Sequence, residues 1–125
     1  MSILHKARSC HYKYRYIFCA LYLLLAAFVT YGNTFENEFL WDDEFLIQNN
    51  KFIKDFTYLP ELLTTSSTAG AGKSDSFYRP TQQLFYAIIY HVSGPTPLGF
   101  HIGNTLIHGI NAILVFFFLA TLFKN

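Results

Sequence analysis

The sequence predicts an all-α membrane protein: two transmembrane helices joined by an extracytoplasmic loop that carries short interfacial helices. Three observations lead there. Only 14% of the 125 residues are charged and 52% are hydrophobic, whereas a soluble domain carries about 25% charged residues. The charges are also unevenly placed, with no Asp, Glu, Lys or Arg in residues 16–35 and none in residues 80–123. All eight acidic residues lie between those two stretches. A water-soluble globule needs charge along every exposed segment, and these two segments have none. The net charge of +1 argues against nucleic acid as a partner, because neutralising phosphates takes a basic excess.

Residues 1–15 form a basic arm, with Lys6, Arg8, Lys13 and Arg15 and no acid, leading into the first uncharged run. Such a layout belongs to a cleaved signal peptide or a retained signal anchor. Cleavage needs small residues at alternating positions, and the best candidate, Thr30 and Gly32 around Tyr31, is poor. At about 1.5 Å per helical residue the run reaches about 30 Å, the thickness of a bilayer core. Residues 16–35 are therefore read as an uncleaved transmembrane helix. Cys10 lies in the arm and Cys19 in the span, so the membrane boundary separates them and no disulfide is expected. Cys10 has the setting of a palmitoylation site, although an inert thiol is the preferred reading.

Residues 80–123 are too long for one helix and contain their own break, Ser93-Gly94-Pro95-Thr96-Pro97. Proline lacks the amide proton and clashes with the preceding turn, so this cluster stops a helix. Residues 80–92 are then too short to cross a bilayer. Leu84, Phe85, Ile88, Ile89 and Val92 recur there at helical spacing, with Gln82, Gln83, Tyr86 and Tyr90 offset from them. That pattern predicts an amphipathic helix lying at the membrane interface. Residues 98–123 are long enough to cross with some tilt and form the second span.

Charge sets the orientation. The segment between the spans holds eight acids against four basic residues, while the arm is purely basic and Lys124 follows the second span. The positive-inside rule puts residues 1–15 and 124–125 in the cytosol and the loop, 36–97, outside. The loop then faces a lumen or periplasm, which implies the endoplasmic reticulum membrane or a bacterial inner membrane. Within it, Phe45, Leu46, Ile47, Phe52, Ile53, Phe56, Leu59, Leu62 and Leu63 recur between polar residues and suggest short helices on the membrane surface. Residues 64–76 are small and polar, which suggests a hinge, a lid or a plain linker. Gly70-Ala-Gly-Lys-Ser74 is not a phosphate-binding P-loop: the motif's first glycine would fall at Ser67, and no apolar strand precedes it.

Trp41-Asp42-Asp43-Glu44 is the chemically richest point of the chain. Asp42 follows Phe35, the end of the first span, by seven residues, about 10 Å of helix, so these carboxylates are expected close to the outer surface. Adjacent carboxylates repel unless a cation or hydrogen-bond donors compensate. The pattern suits a general base or a divalent-metal ligand. Spacing alone favours a helix start, with Asp42 capping free amides and Asp43 and Glu44 facing the positive end of the dipole, a role compatible with the chemistry. Arg79, in Phe77-Tyr78-Arg79-Pro80, is the last charge before the uncharged stretch. Its guanidinium suits bidentate phosphate binding, with ordinary head-group contact or pairing to a loop acid as the alternative. His101, Asn104, Thr105, His108 and Asn111 form one polar stripe along the second span, expected to face other protein.

Together these residues resemble a known family. Asn33-Thr-Phe35-Glu-Asn37-Glu-Phe39-Leu-Trp41-Asp42-Asp43, then Asn49-Asn50 and Ile53, then Tyr78-Arg79-Pro80, then Pro97-Leu-Gly-Phe100-His101 with Asn104, His108 and Asn111, are similar to the N-terminal region of the GT-C membrane glycosyltransferases. The likeness is greatest to the tetratricopeptide-repeat-containing transmembrane O-mannosyltransferases and their bacterial relatives. The resemblance implies an inverting transfer from a polyprenyl- or dolichyl-phosphate-linked sugar to a protein or glycan acceptor. It implies that Asp42 is the catalytic aspartate and Asp43 its acidic partner, with Arg79 facing the lipid phosphate. A divalent metal at Asp42 and Asp43 stays open, since only some members bind one. Members have many spans and a repeat array, so two spans imply a fragment that is inactive alone. The alternative is a two-span membrane adaptor with an acidic outer loop and no chemistry.

Overall fold

The computed structural model describes the backbone of residues 3–73 and 75–123, and the side chains of 14–73 and 75–123. The side chains of Lys6, Arg8, Cys10 and Lys13, together with Ser74 and the end at 124–125, lie outside the described residues. All regular elements among the described residues are helical. They are α1 (Ile3–Tyr31), α2 (Leu59–Thr64), α3 (Pro80–Ser93) and α4 (Pro97–Leu122), with short turns of 3-10 and π helix between α1 and α2 and one 3-10 turn, Ala69–Ala71, between α2 and α3. The chain divides into two units, one of Met1–Asn33 with Asn104–Asn125, the other of Thr34–Gly103.

In the first unit, α1 runs uninterrupted because no glycine or proline occurs before Gly32. Helices α1 and the later part of α4 meet at Gly109, where an added Cβ would come within 2.7 Å of Leu24 Cδ1 and 3.5 Å of Ala27 Cβ. Tyr16 packs its ring against Phe116 and Phe117, each 6.0 Å away. Elsewhere the apolar surface of both helices is mostly exposed. Of the apolar windows in Tyr14–Thr34 and Pro97–Leu122, only 6% and 11% are buried within the protein. A core helix of a soluble protein would be mostly covered. Phe18, Leu25, Val29, Leu114 and Phe118 instead face outward, and such stripes are stable only where the solvent is itself apolar. The chain is a membrane protein with two candidate spans.

The second unit is built around Ile47, Ile53, Leu62, Tyr86, Ala87 and Phe100, which form one apolar cluster. Helix α3 starts at Pro80, whose missing N–H is one that a first turn leaves unused, and stops before Gly94 and Pro95. Its buried face differs from the amphipathic pattern. Gln83, Tyr86 and Ala87 point into the core, whereas Ile88 and Val92 are exposed. Tyrosine is tolerated inside because Gln82 Nε2 donates to its hydroxyl at 3.1 Å and its ring meets Phe100 edge-on at 5.5 Å. Phe85 and Ile89 close over Gly103 on the other side, at 3.0 and 2.8 Å from where a Cβ would stand. The helix is therefore apolar on more than one face.

The small polar segment 64–76 is not a loose lid. Ser67 and Thr68 are buried. Ser67 N–H donates to Phe77 O at 2.9 Å, and Tyr78 Oη donates to Leu63 O at 2.6 Å. Asn50, with no exposed surface, ties the segment to the rest. Its Nδ2 donates to Ser67 O (3.2 Å) and Leu46 O (3.3 Å), and its Oδ1 accepts from Phe52 N–H (3.0 Å). Gly70 passes so close that a Cβ would collide with Asn50 Oδ1 and lie 2.9 Å from Phe52 Cγ.

Candidate functional site

The acidic motif forms a turn before it forms a helix. Asp43 N–H donates to Leu40 O at 3.0 Å, and Asp43 Oδ2 accepts from Leu40 N–H at 3.1 Å. This reciprocal pair closes a four-residue turn with Trp41 and Asp42 at its tip. Trp41 is the one non-glycine residue with positive φ among the described residues, at 50°, and its side chain is 91% exposed. Left-handed backbone at a bulky residue costs about 1–2 kcal/mol, held here by the bonds on either side.

The cap expected of Asp42 is absent, since its side chain makes no hydrogen bond among the described residues, and Asp43 does not take its place. The short π turn Glu44–Gln48 follows Asp43, whose φ and ψ are −61° and −27° and which makes no side-chain cap bond. A capping side chain needs extended backbone to reach the second or third amide; Asp43 is already helical and reaches back to Leu40. Glu44 Oε1 accepts from Asn49 Nδ2 at 3.5 Å. Asp42 contributes its backbone carbonyl, to Phe45 N–H (3.0 Å) and Leu46 N–H (2.9 Å). Among the described residues no hydrogen bond or ion pair engages its carboxylate.

Asp42 lines a cleft of about 380 Å³ within the second unit, and Arg79 lines the same cleft. Residues separated by the whole 64–76 segment are thus brought to one site, because that segment folds down between them. Lys73 and Asp75 complete the charged lining. Neither was picked out as a site residue by sequence reasoning; the available signal was a lone cation and a lone acid among small residues. Asp75 is satisfied internally: Oδ2 accepts from Ser67 Oγ at 3.2 Å and Oδ1 from Phe77 N–H at 3.1 Å. Partial desolvation pushes Asp75 up. Hydrogen bonds from Thr68, the Phe77 amide, Ser67 and Ser66 outweigh it and leave the carboxyl below its ordinary 3.8.

Asp43 turns away from this cleft, so the two adjacent aspartates do not converge as a metal pair. A divalent cation needs several oxygen ligands. Among the described residues no three His, Cys, Asp or Glu side chains stand together, and the cleft offers one unengaged carboxylate. Among the described residues the donor set does not fit a metal. The polar stripe of α4 is split: His101 Nε2 donates to Asn37 O at 3.1 Å, Thr105 is buried, and His108 meets the Tyr31 ring edge-on at 5.0 Å. Asn104 and Asn111 are exposed.

The chain is similar to proteins named protein O-mannosyl-transferase. It is 33% identical over 107 residues to TMTC4 of Mus musculus, covering 80% of this chain and 14% of the relative. It is 34% identical over 94 residues to TMTC4 of Homo sapiens, covering 71% of this chain and 13% of the relative. Tmtc1 of Drosophila melanogaster is 33% identical over 103 residues, 79% of this chain and 12% of the relative. The chain therefore spans about one seventh or less of the curated relatives it matches. No family model and no solved structure matches it.

Proposed function

We propose that this chain is part of a GT-C-type membrane glycosyltransferase that transfers a sugar, as an O-mannosyltransferase does, from a polyprenyl-phosphate donor to a protein hydroxyl. One observation carries the reading. Asp42, whose carboxylate is unengaged among the described residues, and Arg79 line one cleft. Asp42 takes the proton of the acceptor hydroxyl as that oxygen attacks the anomeric carbon. The bond from that carbon to the phosphate oxygen breaks, the configuration inverts, and the lipid phosphate leaves with the electron pair. Arg79 binds that phosphate and stabilises the charge it gains. Asp43 holds the turn that presents Asp42 and acts as a positioning residue.

The acidic loop faces away from the cytosol in this reading, supported by the net charge of the segment between the spans and by the positive-inside rule. Two helices cannot enclose donor and acceptor together, so the segment works within a longer polypeptide. The test is transfer by sealed membranes bearing the complete polypeptide, with labelled dolichyl-phosphate mannose as donor and a serine- and threonine-containing peptide as acceptor. Transfer to peptide on the extracytoplasmic side is expected. Transfer confined to the cytosolic side, or none with any polyprenyl-phosphate sugar, contradicts the reading.

A further inference from the structure

The cleft contains two cations and two carboxylates, yet among the described residues they do not pair. Lys73 Nζ rests over the Phe45 ring, 3.9 Å from its centroid, and Arg79 Cζ lies 4.9 Å from the centroid of Phe77. Asp75 is occupied by Ser67 and Phe77. Asp42 is left to itself. Cation–π contacts at exposed positions are weak, so each cation is held in place without being neutralised.

The backbone beneath Lys73 is fixed. Its N–H donates to Thr68 O at 3.3 Å, and Thr68 Oγ1 donates back to Lys73 O at 2.8 Å. Gly72, at φ +73°, makes the reversal that closes this loop and delivers Lys73 to the cleft. The stem is thus preorganised and the ammonium is the movable part. A fork and a point charge on one small cleft suit an anion with several oxygens, and charge-assisted hydrogen bonds to it are stronger than the ring contacts they replace. A cationic ligand would meet both charges head-on.

We propose that Lys73 is a second anion-binding arm, closing with Arg79 on the phosphate of a lipid-linked ligand. Repulsion from Asp42 turns that phosphate toward the two cations and leaves the atoms beyond it facing the carboxylate. The identity of the ligand as a sugar donor rests on the function proposed above; the two-cation clamp does not. Phosphate recognition here comes from side-chain charges around an aromatic-lined cleft, not from a glycine-rich nucleotide loop.

The complete polypeptide in phosphatidylcholine nanodiscs tests this, with an environment-sensitive fluorophore placed at Trp41, beside Asp42, as reporter. Three probes are titrated separately: a polyprenyl monophosphate, phosphatidic acid and inorganic phosphate. Saturable binding of polyprenyl phosphate is expected, weakened about tenfold or more by Lys73→Ala and largely restored by Lys73→Arg. The ring-current shift that Phe45 imposes on the Lys73 side chain in NMR should disappear on binding, which a merely structural lysine would not show. Unchanged affinity in Lys73→Ala, with loss in Arg79→Ala, overturns the clamp and leaves the proposed function standing. Equal binding of phosphatidic acid, with both cations required, supports the clamp and counts against the donor reading. Equal binding of inorganic phosphate overturns the lipid-linked part of the proposal.

Discussion

Asn50 uses all of its side-chain polarity in the interior: both Nδ2 hydrogens go to carbonyls of Leu46 and Ser67, and Oδ1 takes the Phe52 amide. Those three groups come from the π turn after the acidic motif, from the 64–76 segment and from the core. Asn50→Ala leaves them buried without partners, at an expected cost of about 2–4 kcal/mol. Thermal unfolding of the purified chain in detergent, followed by near-ultraviolet circular dichroism, checks this. A change below about 1 kcal/mol would place the cleft floor's support elsewhere. At this scale the sequence was a partial guide. Asp42, Asp43 and Arg79 stood out by type and position, but that Asp43 reaches back to Leu40 and leaves Asp42 unengaged depends on Trp41 being left-handed. No spacing rule marks that. Lys73 was hidden for a related reason, since the ring it rests on, Phe45, comes from a distant part of the chain.

Among elements, the long ones were legible and the short one was not. Uncharged length marks the later part of α1 and nearly all of α4. Helix α1 already begins at Ile3 within the basic arm, and residues 32–35, expected in the first span, form a 3-10 turn and the turn after it. The Gly94–Pro97 cluster separates α3 from α4, because proline acts through a strong local rule. The 64–76 segment reads as a hinge, lid or plain linker by composition, yet its serines and threonines serve as internal partners for Asp75 and for the backbone. The same contacts make its order pH-dependent. Because the folded-state pKa of Asp75 is lowered, its stabilisation is complete above the ordinary value of 3.8 and is lost as pH falls through the lowered one. Hydrogen-exchange protection at Ser67 and Phe77 should therefore drop in that acid window. Asp75→Asn should lower protection at neutral pH and flatten the acid response. Wild-type protection in Asp75→Asn at neutral pH would show that this carboxylate does not hold the segment.

For the whole molecule, the two units divide the work. One supplies helices whose apolar surface is left bare for lipid, and the other folds an acidic, aromatic-rich segment around its own core and one charged cleft. The central claim is that Asp42 is the base of a sugar transfer, and one substitution isolates it. Asp42→Asn keeps the size of the side chain and the turn's backbone bonds, which do not involve the carboxylate, and removes only the charge that accepts a proton. Initial rates of mannosyl transfer from dolichyl-phosphate mannose, in membranes carrying the complete polypeptide at matched protein level, should fall by about 10² or more, while Asp43→Asn, whose amide oxygen still takes the Leu40 N–H, falls much less. Near-wild-type transfer by the Asp42→Asn protein would contradict the account.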